Sequence, residues 1–233
     1  CIIRFATDEG DVLYANDFNL DPKPTLGEPT DLDYFRSLDV KLLLQDSLYS
    51  YHDGRNGSES DVEQELKELF ESMENKGKIL VTTFSSHIAR LQSILKTSKV
   101  LGRKPIIMGR SLSKYIEAAE EVGLIDFSDV ERIKYGSHID SVVRKMKNPE
   151  DYLFITTGHQ GEENAVLSRL VKMGFLGKND TVVFSCRVIP TETTMKSRER
   201  LEARMKEHGI TIFKDIHVSG HCFRDGMKLF LDH

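Results

Sequence analysis

The 233-residue sequence contains no tryptophan, only three cysteines and no run of eighteen apolar residues. The missing apolar run excludes a membrane-spanning helix. Cys1, Cys186 and Cys222 are odd in number and far apart, so the sequence predicts neither a disulfide framework nor a CxxC metal site, and it favours a reducing, cytoplasmic setting. Walker A and GxGxxG motifs are also missing, which disfavours binding of nucleoside triphosphates and dinucleotides.

The length and the 39% content of hydrophobic residues suit one large globular domain or two small ones. The chain begins with Cys1 rather than methionine, and no basic segment with an apolar core follows. We therefore expect no signal peptide, and we expect the chain to be part of a longer one.

Charge is distributed unevenly along the chain. The net charge of -5 argues against a protein that coats nucleic acid through bulk charge. Residues 1–75 carry eighteen acidic and six basic side chains, whereas residues 76–116 carry nine basic side chains and no acidic one. This basic run fits either a solvated helix face or a surface for an anionic polymer. Its members are Lys76, Lys78, Arg90, Lys96, Lys99, Arg103, Lys104, Arg110 and Lys114.

Apolar segments alternate with amphipathic ones through most of the chain. This rhythm predicts an α/β domain in which a parallel sheet is flanked by helices. The predicted strands are Ile79–Thr83, Pro105–Met108, Tyr152–Thr156, Thr181–Phe184 and Ile210–Phe213, and the helices are Ser86–Leu101, Leu112–Val122, Glu162–Met173 and Met195–Glu207. Outside this domain, the sequence predicts a hairpin of Cys1–Ala6 with Val12–Ala15, short strands at Lys41–Leu44 and Ile216–Val218, and helices from residue 60 or 61 and at Arg224–Leu231.

The loops that follow the predicted strands share a polar character. In open parallel sheets ligands bind beyond the carboxyl ends of the strands, where hydroxyl, cationic and backbone N–H groups hold anions. The residues offered there are Ser85, Ser86, His87, Arg110, Ser111, His159, Gln160, Gly161, Glu162, Ser185, Ser219 and Gly220. The simpler alternative is that Ser85 and Ser86 cap a helix, that Gly161 serves backbone conformation and that Glu162 complements a helix dipole.

Asp17, Asp46 and the pair His217 and His221 end short segments outside the α/β rhythm. A carboxylate at such a position either caps a turn or acts chemically. The two histidines are four residues apart around Ser-Gly, so they do not share a helix face, but they are able to hold one phosphate or metal-bound group from either side of a turn. His52, His138 and His208 are predicted to be surface residues.

Taken together, these segments resemble the ribonuclease J family, most closely its archaeal branch. The motifs that carry the resemblance are Lys78-Ile-Leu-Val-Thr-Thr-Phe-Ser-Ser-His-Ile-Ala-Arg90, Gly109-Arg-Ser-Leu112, Thr157-Gly-His-Gln-Gly-Glu162, Val183-Phe-Ser-Cys-Arg-Val-Ile-Pro190 and His217-Val-Ser-Gly-His221, together with Ala15-Asn-Asp-Phe18 and Leu43-Leu-Gln-Asp46. The resemblance implies a metallo-β-lactamase domain of αββα type with an inserted β-CASP domain. Residues 1–55 would be the second part of the lactamase domain, 56–216 the β-CASP domain, and 217–233 the return to the lactamase domain.

The resemblance also implies an activity. Members of the family hydrolyse RNA with two zinc ions, 5′ to 3′ from a monophosphorylated end. Asp17 would bridge the zinc ions, and Asp46 and His221 would belong to the catalytic centre. His217, Ser219 and Gly220 would help to form a phosphate pocket, and Arg90 with the other loop residues would hold RNA. The partners implied are single-stranded RNA, bound along the basic run, and a second subunit in a homodimer, with no membrane association.

Departures from the family pattern matter as well. The His-x-His-x-Asp-His zinc motif, the next histidine ligand and the last one, expected in a Pro-x-His-Gly segment, are not among these 233 residues. We therefore expect this polypeptide alone to be free of metal and inactive unless another chain supplies ligands. Cys222 stands where the family normally has alanine, which is a minor change.

Three alternatives to exonucleolytic cleavage stay open. The first is that the chain is a β-CASP endoribonuclease. The second is a non-catalytic module that binds RNA or a 5′-phosphate. The third is an unrelated α/β protein of sugar-phosphate or nucleotide metabolism. Under the ribonuclease interpretation, His159, Arg110 and His221 converge on a single nucleic-acid backbone.

Overall fold

The structure, a computed structural model, describes residues 2–73 and 77–232. Cys1, Lys76 and His233 therefore lie outside the described residues, although Cys1 belongs to the predicted hairpin and Lys76 to the predicted basic run. The chain forms two compact units, unit 1 with Cys1–Asp61 and Val218–His233, and unit 2 with Val62–His217. Within the described ranges, no helix has both the length and the apolarity that crossing a membrane requires.

Nine strands and eight helices alternate along the described part of the chain. The strands are β1 Ile2–Thr7, β2 Gly10–Ala15, β3 Val40–Gln45, β4 Ile79–Thr82, β5 Lys104–Met108, β6 Glu131–Ile133, β7 Tyr152–Thr156, β8 Thr181–Phe184 and β9 Thr211–Phe213. The helices are α1 Leu32–Arg36, α2 Glu59–Ser72, α3 Ile88–Ser98, α4 Arg110–Glu121, α5 Gly136–Lys145, α6 Val166–Lys172, α7 Glu192–Glu207 and α8 Arg224–Leu231.

Unit 2 is built on a six-stranded sheet in the order β6-β5-β7-β4-β8-β9, and every strand pair is parallel. Each residue of the central strand β4 is buried, as expected for a strand covered by helices on both faces. Phe154, Phe184 and Leu167 are fully buried within its core. The predicted parallel sheet flanked by helices is therefore confirmed.

Two local predictions near this region are wrong, and two elements were missed. The strand expected at Ile216–Val218 does not form, because the Ile216 carbonyl accepts hydrogen bonds from side chains instead of a neighbouring strand. The helix expected from Glu162 begins only at Val166. Strand β6 and helix α5 were not predicted, because a three-residue strand leaves too short a period to detect.

Unit 1 contains a three-stranded sheet in the order β1-β2-β3. Strands β1 and β2 form the predicted antiparallel hairpin, and β3 joins β2 in parallel. One face of the sheet packs on helix α8, where the rings of Phe18 and Phe230 lie 5.2 Å apart. Cys222 is a buried member of this core, and both Cys186 and Cys222 are free thiols.

The opposite face of this sheet is apolar and exposed. Ile3 pairs with Tyr14 and Tyr14 with Leu44, so the side chains form a continuous row across the three strands. Phe5 is 54% exposed and Leu42 50% exposed. In the αββα arrangement that the resemblance implies, a second sheet covers such a face. The described residues of unit 1 contain only this one sheet.

Asp180 joins the starts of strands β4 and β8 in unit 2. Its buried carboxylate accepts hydrogen bonds from the backbone N–H of Lys78 at 2.7 Å and of Gly177 at 2.8 Å, and it pairs with the Lys78 ammonium at 2.8 Å. We predict that Asp180→Ala lowers the unfolding free energy by about 3 kcal/mol, because two half-buried N–H donors and the Lys78 ammonium lose their partner.

Urea unfolding followed by circular dichroism measures this change. Lys196→Ala, which breaks an exposed ion pair with Glu192, is the matched control and should change the unfolding free energy by less than about 0.5 kcal/mol. Equal effects of the two substitutions would contradict a structural role for Asp180.

Candidate functional site

Two carboxylates of unit 1 follow the ends of neighbouring parallel strands. Asp17 lies just beyond β2 and Asp46 just beyond β3, and the Asp46 N–H donates to the Ala15 carbonyl at 2.8 Å. The Asp46 side chain is only 10% exposed, and it also accepts a hydrogen bond from the Leu48 N–H at 2.9 Å. The Asp17 side chain is 67% exposed. Strand pairing thus brings two carboxylates to the carboxyl ends of β2 and β3. That of Asp46 is largely buried and hydrogen-bonded, and that of Asp17 is exposed.

His221 completes this group from the segment before helix α8. Its Nδ1 lies 2.7 Å from Asp46 Oδ2 and 3.9 Å from Asp17 Oδ1. An ionised carboxylate only accepts hydrogen bonds, so Nδ1 carries the proton and Nε2 keeps the second ring position for a ligand. We refer to Asp17, Asp46 and His221 as the carboxylate–histidine group.

Two asparagines that the sequence predictions missed hold the backbone around His221. The Asn56 amide donates to the carbonyls of Ser219 at 3.1 Å and His221 at 2.7 Å, and Asn19 donates to the Ser219 carbonyl at 3.1 Å. Ser219 is buried, and its hydroxyl accepts a hydrogen bond from the His221 N–H at 3.0 Å. Gly220 is exposed. No sequence signal marks these asparagines, because their partners lie more than 160 residues away.

The carboxylate–histidine group offers a partial set of metal ligands. One donor atom from each of its three residues lies within 4.8 Å of the others, and two carboxylates with an imidazole suit zinc. However, Asp46 and His221 are hydrogen-bonded to each other, so the Asp46 carboxylate is already engaged within the group. Asp17, whose side chain is 67% exposed, is the carboxylate best placed to hold a metal directly.

Unit 2 carries a second group of polar residues beyond the carboxyl ends of its strands. His159, in the loop after β7, is 8% exposed, and neither ring nitrogen has a hydrogen-bond partner. His217 likewise has no partner for Nδ1. The Phe84 ring, in the loop after β4, lies 4.3 Å from the His159 ring and 6.5 Å from the His217 ring. Buried polar atoms without partners are rare, and here they indicate a place where a ligand binds.

Burial keeps both of these histidines neutral. The pKa of His159 is lowered to about 4, chiefly by burial, while Glu162 opposes the shift and Arg198 contributes to it. Burial also lowers the pKa of His217 to about 3, with help from the positive charges of Arg90, His87 and Arg187. A neutral imidazole donates one hydrogen bond and accepts another, so each ring is able to bind a phosphate oxygen without carrying charge.

Arg90 lies fully buried in the same region. Its Nη1 donates to the Ser185 carbonyl and hydroxyl, both at 2.9 Å, and to the Ile216 carbonyl at 3.2 Å. Ser185 is also fully buried, and its hydroxyl donates to Ile216 at 3.0 Å. Both residues therefore position the segment that leads to His217, and contact of either with substrate stays a prediction.

The Gln160-Gly161-Glu162 motif contacts the segment after β8 and helix α7. The Gln160 amide donates to the Arg187 carbonyl at 3.1 Å and accepts from the Ile189 N–H at 2.9 Å, which holds the exposed Arg187 in place. Gly161 has a φ of 81°, and a Cβ there would lie 2.5 Å from the Ser197 carbonyl carbon in helix α7. Glu162 accepts from the Gln160 N–H at 3.1 Å. A direct role of this motif in RNA binding remains a prediction.

The loop after β4 meets the start of helix α4 through hydroxyl groups. Ser85 Oγ lies 2.9 Å from Ser111 Oγ, while Ser86 is exposed. The predicted serine cap of the following helix is wrong, because His87 occupies the N-cap position. Arg110 and Ser111 line an open cavity of about 340 Å³. Lys134 and Arg169, which the sequence predictions missed, line the same cavity.

The basic run does not act as one exposed surface. Arg90 and Arg103 are buried, and burial lowers the pKa of Arg103. Lys78 pairs with Asp180, and Lys96 pairs with Glu63. Arg90, Arg103 and Lys78 therefore serve internal contacts, whereas Lys96 forms an exposed ion pair, and lining of an RNA channel by the run stays a prediction. Lys76 lies outside the described residues, and Arg110 is exposed.

Comparison with known proteins identifies the class and then the family. A family model described as "Ribonuclease J, beta-CASP domain" matches residues 76–199, more than half of the chain. The protein is thus an α/β protein that carries a β-CASP domain of the metallo-β-lactamase superfamily. The chain belongs to the ribonuclease J family.

Three relatives illustrate the extent of the similarity. Ribonuclease J of Pyrococcus abyssi is 35% identical over 99% of this chain and 52% of its own length. Ribonuclease J of Methanocaldococcus jannaschii is 38% identical over 94% of this chain and 51% of its own length. Ribonuclease J of Helicobacter pylori strain J99 is 31% identical over 98% of this chain and 33% of its own length. The chain spans about half the length of the two archaeal relatives and a third of the bacterial one. Because the chain belongs to this family, the alternative of an unrelated metabolic α/β protein is wrong.

The neutral state of His159 and His217 predicts an acid-dependent loss of stability. Both pKa values lie below the ordinary 6.5, so between pH 6.5 and about 4 the unfolded chain binds more protons than the folded one. The unfolding free energy should fall as the pH is lowered through this range, by up to about 1.4 kcal/mol per pH unit for each histidine.

Urea midpoints measured between pH 7 and pH 4 check this prediction. His159→Gln should flatten the dependence, because the variant lacks one of the two groups that gain a proton on unfolding. The exposed His138→Gln serves as the control and should leave the slope unchanged. A wild-type slope that matches that of His159→Gln would contradict the burial argument.

Proposed function

We propose that this chain forms part of a zinc-dependent ribonuclease that degrades RNA 5′ to 3′ from monophosphorylated ends. The supporting observation is the hydrogen bond of 2.7 Å between His221 Nδ1 and Asp46, beside the open carboxylate of Asp17, in a member of the ribonuclease J family. The chain covers about half of its archaeal relatives, so the activity of the whole protein is part of the proposal.

In this mechanism Asp46 is a positioning residue. It accepts a hydrogen bond from Nδ1–H, fixes the tautomer of His221 and stabilises the imidazolium. The Nε2 atom of protonated His221 then donates its proton to the oxygen that departs from phosphorus. Asp17 would hold the metal, and bound zinc would supply an activated water and neutralise charge at the phosphate.

In unit 2, neutral His159 and His217 would bind phosphate oxygens, and exposed Arg110 and Arg187 would supply positive charge. These groups address the backbone of RNA rather than its bases, which supports binding without sequence preference. We assign residues 1–55 and 217–233 to the metallo-β-lactamase domain and 56–216 to the β-CASP domain. Homodimer formation and a cytoplasmic location belong to the same proposal.

A non-catalytic RNA-binding role is the second candidate. Two observations favour it. Asp46 and His221 are hydrogen-bonded to each other. Within residues 2–73 and 77–232, no other three ligand side chains lie close enough together to hold a metal ion. An endoribonuclease is a variant of the first candidate.

Product analysis separates these functions. The complete protein is incubated with zinc and, in separate reactions, with three RNAs of the same sequence. These RNAs carry a 5′-monophosphate, a 5′-triphosphate and a 5′-hydroxyl. The proposal expects mononucleotides, released fastest from the monophosphate. Internal fragments from all three RNAs would identify an endoribonuclease, and binding without products would identify a non-catalytic module.

We predict that His221→Ala in the complete protein lowers turnover by about 10²-fold or more, since a proton donor to the departing oxygen is lost. Single-turnover cleavage at saturating RNA measures the effect. His138→Ala, on the exposed face of helix α5, is the matched histidine control and should cleave at the wild-type rate. Unchanged cleavage by His221→Ala would refute the assigned role.

We predict that Asp17→Asn in the complete protein weakens zinc binding by about ten-fold or more, since an amide is a poorer ligand than a carboxylate. Zinc affinity is measured by competition with a chromogenic chelator, so the result does not depend on activity. Asp33→Asn alters an exposed carboxylate of helix α1 and should leave the affinity unchanged. Equal zinc affinity of the Asp17 variant and the wild type would remove Asp17 from the metal site.

A further inference from the structure

An aromatic cluster adjoins the carboxylate–histidine group in unit 1. The Tyr49 ring meets the His221 ring edge-on at a centroid distance of 5.5 Å. Tyr49 also contacts the rings of Tyr51 at 6.1 Å, His52 at 5.0 Å and Phe223 at 5.9 Å. Tyr49 thus links His221, the proton donor of the proposed function, to the rings of Tyr51, His52 and Phe223.

Three of these rings form a short stack. His52 lies over Phe223 with an interplanar angle of 28° and a centroid distance of 5.0 Å. Tyr51 continues the stack over His52 at 4.4 Å with an angle of 33°. We call Tyr51, His52 and Phe223 the aromatic stack. Its outer member, Tyr51, is 65% exposed, so one end of the stack opens to solvent.

Hydrogen bonds fix the loop that carries the stack. The Arg224 guanidinium donates to the carbonyls of Ser50 at 3.0 Å and Tyr51 at 3.3 Å, and it pairs with Asp53. The backbone N–H of Arg224 donates to the His52 carbonyl at 3.0 Å. Asn56 accepts from the Phe223 N–H at 2.8 Å. The backbone that carries Tyr51 is thus held in place before any ligand arrives, and the ring packs on His52.

An exposed aromatic ring that is fixed in a stack suits one kind of ligand. Proteins that bind single-stranded RNA without sequence preference let bases stack on aromatic rings, because every base offers a π-face. A held ring loses little conformational freedom when a base covers it, so more of the stacking free energy remains for binding. Burial in a protein core does not explain Tyr51, since the ring is largely in solvent.

We propose that the aromatic stack is a nucleobase platform, on which a base of single-stranded RNA stacks against Tyr51 while the neighbouring phosphate lies at His221. This inference rests on the proposed function, because it places the base relative to the phosphate that is cleaved. The platform accepts any of the four bases and sets which internucleotide bond meets His221.

The test uses the complete protein and a 5′-monophosphorylated RNA of ten nucleotides. Matched RNAs carry an abasic ribose at one of the first four positions. Tyr51→Leu keeps the apolar bulk but removes the π-face, and Tyr51→Phe keeps both. We expect Tyr51→Leu to raise KM about ten-fold on intact RNA, with kcat changed less, and Tyr51→Phe to match the wild type. On RNA that is abasic at the platform position, Tyr51→Leu and the wild type should perform alike.

A 2-aminopurine base at the platform position gives a readout that is independent of cleavage. Its fluorescence should fall on binding to the wild type and to Tyr51→Phe, but not to Tyr51→Leu, because stacking quenches it. Tyr115→Leu removes an exposed tyrosine of helix α4 in unit 2 and should leave both readouts at wild-type values.

Several results would overturn the platform. The first is that Tyr51→Leu and the wild type have equal KM on intact RNA. The second is that Tyr51→Leu raises KM by the same factor on intact RNA and on RNA that is abasic at the platform position. If Tyr51→Leu does not fold, the abasic series on the wild type decides, because the platform requires one position to matter about ten-fold more than its neighbours. If the wild type neither cleaves nor binds RNA, the proposed function itself fails, which is a distinct outcome.

Discussion

The buried guanidinium of Arg90 is the contact on which the candidate site in unit 2 depends. Backbone carbonyls in irregular segments need hydrogen-bond donors as much as those in strands do. Arg90 supplies them to Ser185, at the end of β8, and to Ile216, one residue before His217. Its charge also contributes to the low pKa of His217. One side chain thus holds a loop in position and helps burial to keep a histidine neutral.

In unit 1, neutral amide side chains donate hydrogen bonds to the irregular backbone. Asn56 donates to the carbonyls of Ser219 and His221 and accepts from the N–H of Phe223, so the turn that presents His221 needs no regular structure. The carboxylate of Asp46 then orients the imidazole. In both units, polar side chains, buried in unit 2 and half-buried in unit 1, satisfy irregular backbone, and other polar atoms stay open for a ligand.

The sequence predicted the strands of the unit 2 sheet because an apolar run of four or five residues between amphipathic helices leaves few alternatives. It also singled out Asp17, Asp46 and His221, from their motifs. It missed β6 and α5, and it placed a strand at residues 216–218, where side-chain donors hold the backbone instead. Periodicity does not reveal a carbonyl that is satisfied from a distant residue.

The sequence by itself determined the parallel α/β architecture and the residue types that follow each strand, since both are local patterns. Only the tertiary structure decided which polar residues face inward. Arg90 and Arg103 are buried although they lie in a run that looks like a basic surface. Tyr51 is exposed in a stack next to His221, although 170 residues separate the two in the chain. The physical reason is that burial, pKa and hydrogen-bond partners depend on contacts between segments that are far apart in the chain. Hydrophobic periodicity describes local structure and does not reveal those contacts.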